Sequence, residues 1–150
     1  MIGRAFLAFL ALAAVGGLFG LRAIAGDAAP RQNQVLPYGE VDWQRGYVKV
    51  SAIGLPPFGS SGALTPQEVA RQNAVSLAQK RLLGVILDLE VKHRKVRDHL
   101  SVRSDMKERL RALVTTAQVQ GRSYSDGSVE ITLTLPVTGT GGLDAFLTSF

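Results

Sequence analysis

The chain has 150 residues, with 17 Lys and Arg against 12 Asp and Glu, and no cysteine. That length fits one domain around one core, and the missing thiol excludes disulfides, thiol catalysis, cysteine metal sites and lipid attachment at a cysteine behind an export signal. The formal net charge of +5 falls to +3 once Arg4 and Arg22 are set aside with the N-terminal segment, so the pI of about 10.0 overstates how basic the remainder is.

Residues 1–25 have the layout of a secretory signal. Arg4 gives a positive start, residues 5–21 are an unbroken run of apolar residues and glycines, and Ala23-Ile24-Ala25 matches the small-x-small cleavage rule. Cleavage there predicts a mature chain beginning at Gly26. The alternative is an uncleaved inner-membrane anchor over residues 5–21, since about 17 residues is the lower limit for crossing a bilayer and basic Arg22 follows directly. Residues 26–42 hold Pro30, Pro37, Gly39 and polar residues without periodicity, which predicts a flexible linker. Residues 43–150 are expected to form a single domain.

In residues 47–53, Val48, Val50 and Ala52 alternate with Tyr47, Lys49 and Ser51, the pattern of a half-buried strand. A Gly/Ser/Pro-rich loop over residues 55–64 leads into the dominant element of the chain, a long amphipathic helix over residues 65–89. Val75, Ala78, Leu82, Val85, Ile86 and Leu89 recur at intervals of three and four. Thr65, Pro66 and Glu68 supply an N-cap, a first-turn proline and the second half of a capping box.

Beyond it, Val91 and Val96 alternate imperfectly with charges over residues 90–97. This predicts a short edge strand, with a frayed continuation of the helix as the alternative. A second, shorter helix follows, with Met106, Leu110, Leu113 and Val114 on one face, Ser101 or Ser104 as cap, and Asp105 four residues before Arg109. Residues 114–124 and 128–136 read as two strands joined around Ser125-Asp126-Gly127, because Asp-Gly tolerates the positive φ of a tight turn. Val129, Ile131, Leu133 and Leu135 then face one way, as natural cover for the long helix. The end of the chain carries apolar Leu143, Phe146, Leu147 and Phe150, expected either to dock or to precede a further segment. The fold class is α+β: one long and one shorter helix on a small, mainly antiparallel sheet.

Candidate sites are few. Lys92, Arg94, Lys95, Arg97 and Arg103 lead a basic stretch over residues 92–111 that suits anionic lipid or cell-wall polymer; the plainer reading is a solvated surface. Nucleic acid is disfavoured in an exported chain without a recognised binding motif. Trp43, Tyr47 and Phe58 flank the first strand and the loop after it, as a partner-docking patch or simply as packing over one end of the core. His93 and His99 lack a nearby third ligand, so they read as surface histidines. The glycines of residues 139–142 fail the dinucleotide spacing, and those of residues 59–62 fail the nucleophile-elbow spacing. No catalytic, cofactor or metal constellation is expected.

Residues 43–57 (WQRGYVKVSAIGLPP), the helix over residues 69–87 with its Ala70-Arg71-Gln72-Asn73-Ala74 opening, and the run from Asp126 to Pro136 (DGSVEITLTLP) resemble the Lpp-twenty-type bacterial lipoprotein family. More loosely they resemble the N-terminal domain of flagellar assembly protein T. The resemblance spans roughly residues 43–143 and rests on pattern and order. It implies a small α+β domain of the cell envelope, often tethered to the outer membrane, that serves a structural or assembly role and is not an enzyme. Two departures stand out: the lipobox cysteine is absent, and relatives often continue beyond the equivalent of Gly141-Gly142-Leu143. The expectation is a non-enzymatic envelope module that binds another envelope protein, periplasmic or outer-membrane-associated after export. The alternative is a peripheral binder of anionic lipid or polymer. No cofactor is expected, and the oligomeric state is left open.

Overall fold

The computed structural model describes residues 32–59 and 62–150. The expected export signal or anchor and the first part of the expected linker lie outside these residues. In chain order the elements are β1 (Gln34–Leu36), β2 (Gly39–Asp42), β3 (Tyr47–Gly54), α1 (Pro66–Asp88), β4 (Glu90–Val91), β5 (Arg94–Lys95), α2 (Val96–Leu100), α3 (Ser104–Thr115), β6 (Gln118–Ser123), β7 (Val129–Pro136) and α4 (Leu143–Leu147). Five strands form one sheet in the order β1-β2-β3-β7-β6, with every neighbouring pair antiparallel. The α+β class expected from the sequence is the one observed.

The helix α1 begins where its cap places it. Glu68 N donates to Thr65 Oγ1 at 3.3 Å, and Thr65 N donates to Glu68 Oε2 at 2.8 Å, a complete capping box that satisfies two otherwise orphaned amides. Ala70, Ala74, Ala78, Leu82, Val85 and Ile86 form its buried stripe. The alanines let the helix close tightly on the sheet. A Cβ added to Gly54, at the end of β3, would lie 1.9 Å from the Ala70 carbonyl oxygen, so only glycine fits that approach. Opposite the stripe, Val48, Val50, Ala52 and Gly54 pair with Leu135, Leu133, Ile131 and Val129. All eight are buried, and each fully buried Leu, Ile or Val contributes roughly 1.5–3 kcal/mol.

Four local expectations are corrected. Residues 34–42 are not linker but strands β1 and β2, joined by a turn at Pro37-Tyr38; Val41 enters the core beside Val48. Residues 90–97 add no edge to the main sheet. They make a separate two-stranded hairpin, β4-β5, and Val96 already belongs to α2. The cap of α3 is neither Ser101 nor Ser104 but Arg103, without a side-chain capping bond; Ser101 Oγ donates instead to the Asp98 carbonyl at 2.7 Å. Val114 and Thr115 remain in α3, so β6 starts only at Gln118. The C-terminal apolar residues do dock. Leu143, Phe146 and Leu147 of α4 are buried, and Phe146 meets Phe150 edge-on at 5.3 Å between centroids.

Two layers result, with α1 lying across β3 and β7. The other face of the sheet carries no helix among the described residues, and its side chains are half-buried or exposed throughout.

Candidate interaction surfaces

Strand alternation builds the open face. Residues paired across antiparallel strands share a face, so the register sets out three rows: Glu40, Lys49, Thr134 and Gln118; Ser51, Thr132 and Gln120; Ile53, Glu130 and Arg122. The middle row is tied by a hydrogen bond of 2.8 Å between Ser51 Oγ and Thr132 Oγ1. At one corner Tyr124 donates its hydroxyl to Glu130 Oε2 at 2.6 Å, and the Arg122 guanidinium lies 5.3 Å from the centre of the Tyr124 ring. That bond to the Glu130 carboxylate raises the Tyr124 phenol above its ordinary value. At the opposite corner Tyr47 donates to Glu40 Oε1 at 3.4 Å. The face is therefore an array of hydroxyls, amides and charges of opposite sign set across from one another, with Ile53 and Val35 exposed at its margins. Such an array can hydrogen-bond a partner surface, and the titratable groups that meet on it are the two phenol–carboxylate pairs, Tyr124 with Glu130 and Tyr47 with Glu40.

A hollow on the helical layer is the second feature. Leu83, Leu87, Leu100 and Leu110 line it together with Arg97, Lys107 and Arg111, in about 250 Å³. Its cations are partly compensated: Arg111 Nη1 pairs with Glu108 at 2.6 Å, and Arg97 pairs with Asp88.

The docking patch expected of the three aromatics does not assemble. Trp43 packs against the core and Tyr47 is half-buried at the start of β3, whereas Phe58 is fully exposed beyond its far end. Eight strand residues separate the two sites, a span of roughly 25 Å at strand rise. The basic stretch is likewise divided. Lys95 Nζ is 3.2 Å from Asp88, which also holds Arg97; Arg103 pairs with Asp105 at 3.7 Å and donates to the Ser149 carbonyl at 3.2 Å. Lys92 and Arg94 are exposed on the β4-β5 hairpin and form no ion pair with the other described residues. The turn of that hairpin is unusual. Lys92 and His93 have φ of 51° and 63°, a left-handed conformation that glycine or asparagine normally supplies.

His99 is apart from His93: its Nε2 lies 3.0 Å from the Val91 carbonyl, and its ring is 5.1 Å from that of Phe150. Among the described residues no three His, Cys, Asp or Glu side chains converge as metal ligands. The sequence reading missed the open face as a surface, although the alternation of Lys49, Ser51, Thr132 and Thr134 carried its signal.

Compared with known proteins, the chain matches no family model, no curated protein and no solved structure.

Proposed function

We propose that this chain is a non-catalytic binding module of the bacterial cell envelope, exported by residues 1–25, which holds another envelope protein against the open face of its sheet. The observation that carries the reading is that face: a five-stranded surface of Ser, Thr and Gln with charges of opposite sign facing across the strands, uncovered among the described residues. The export pattern and the family resemblance of residues 43–143 support its location. Photo-crosslinking side chains placed at Lys49 and Thr134 test it in cells that export the chain. Both positions should trap the same envelope protein, and an exposed control at Arg71 on α1 should not. Adducts at Arg71 alone, or a chain that stays unexported, would overturn the reading.

A second reading has its own observation, the left-handed hairpin tip that presents Lys92, His93 and Arg94. In this reading the hairpin rests on an anionic lipid or polymer surface. Binding to phosphatidylglycerol vesicles should then weaken steeply with salt, because exposed charges are screened beyond about 10 Å at 0.1 M. Replacing Lys92 and Arg94 with Glu should abolish it. Binding that ignores salt removes this reading and leaves the first untouched.

A further inference from the structure

The two edges of the sheet are built differently. β1 has three residues and is followed at once by Pro37; short strands and prolines are the usual devices that keep an edge from pairing with another chain. β6 has six residues, all exposed, with no proline, no lysine and a single charge, Arg122. Its backbone polarity follows from the hairpin. Tyr124 N donates to the Ser128 carbonyl at 2.9 Å, and hydrogen-bonded pairs alternate along an antiparallel ladder. Gln118, Gln120 and Arg122 therefore turn their amides and carbonyls toward β7, while those of Val119, Gly121 and Ser123 point away from the sheet.

We propose that β6 pairs with β6 of a second copy, antiparallel, about a two-fold axis through Gly121, joining two five-stranded sheets into one. The sequence of the edge is complementary to itself in this register. Val119 meets Ser123 of the second copy and Gly121 meets its own equivalent, so the outward donors and acceptors satisfy one another in on the order of six backbone bonds. On the open face Gln120 stands opposite Arg122 of the second copy, so the only charge on the strand meets an amide oxygen and not another cation. On the helical side Val119, 51% exposed, gains cover, and the absence of a side chain at Gly121 leaves the axis unobstructed. An unrelated extended peptide could use the same backbone groups, but the facing of Gln120 and Arg122 is a property of this sequence with itself. Six residues of strand bury far less than the roughly 1,600 Å² of a standard interface, so the dimer is weak and concentration-dependent.

Sedimentation equilibrium of the full chain over a concentration series, with amide hydrogen exchange at the same concentrations, tests the proposal. A monomer–dimer equilibrium is expected, with slowing of exchange at Val119, Gly121 and Ser123 as concentration rises. Gly121→Pro removes an outward amide that β7 does not use, a place where edge strands tolerate proline. It should weaken the dimer at least about tenfold and leave the circular dichroism spectrum unchanged. If that variant misfolds, the exchange pattern of the unaltered chain decides. A chain monomeric throughout, or a dimer without protection at those three amides, would overturn the proposal. Neither result touches the open-face reading, because a partner on that face leaves the edge amides uncovered.

Discussion

At the tip of the β4-β5 hairpin two ordinary residues occupy a backbone region that suits neither. Lys92 and His93 both have positive φ, and each non-glycine residue held there costs roughly 1–2 kcal/mol relative to its preferred conformation. Replacing them together as Lys92→Asn and His93→Gly should raise stability by about 1–2 kcal/mol, since Asn-Gly is the favoured pair for such a turn. Urea denaturation of the double variant checks this, and its vesicle binding should fall at the same time if the tip touches anionic surfaces. The tight turn at Asp126-Gly127 was legible in the sequence. Gly127 has φ of 82° and Asp126 Oδ1 accepts from Ser128 N at 2.9 Å. No comparable signal marks Lys92-His93, because neither residue is a turn former, although Val91 and Val96 on either side are buried.

Among the elements, α1 depends most visibly on a local device. Thr65→Ala should cost about 1 kcal/mol, read as a lower urea midpoint. The Thr65 amide, and then its hydroxyl, hold the Glu68 carboxyl below its ordinary value. The stability linked to Glu68 is therefore complete above the ionisation range of the unfolded side chain and is lost as pH falls through the lowered folded value. In Glu68→Gln that part of the acid dependence should vanish, as a urea titration at several acidic pH values would record. The buried stripe was legible at Ala78, Leu82, Val85, Ile86 and Leu89, but not at Ala70 and Ala74, and Val75 is only half-buried. Alanine carries little contrast between inside and outside, so periodicity registers large residues and passes over the small ones that set how closely the helix approaches. The same logic hides β1, β2 and α4. Three to five residues are too few for a period to declare itself, and Pro37 with Gly39 resembles a linker until the pairing with β3 is known.

Across the whole molecule the sheet separates two kinds of residue. Substitutions on its helical side should unfold the protein: Leu82→Ala, at a fully buried site, is expected to cost about 2–5 kcal/mol. Lys49→Gln on the open face, which sets no like charge against Glu40, should leave stability within about 0.5 kcal/mol while weakening the proposed envelope contact. Thermal or urea denaturation set beside crosslinking measures both. The sites were less legible than the fold, for a reason of distance. Asp88 lies on α1, outside the basic stretch, yet it holds both Lys95 and Arg97; Trp43 and Phe58 are near in sequence to one strand but at opposite ends of it.

The place of β7 between β3 and β6 has a kinetic consequence. Ser51 and Thr132 touch across 81 residues, so the centre of the sheet closes only after a long loop has been drawn in, which makes folding slow relative to chains built from local contacts. Until the C-terminal hairpin arrives, the meander β1-β2-β3 has a bare edge along β3 and no cover for Val48 and Val50 beyond what α1 provides. A chain emerging from a ribosome therefore cannot complete this sheet until residues through Pro136 have left the exit tunnel, and until then β3 stays a strand without its neighbour.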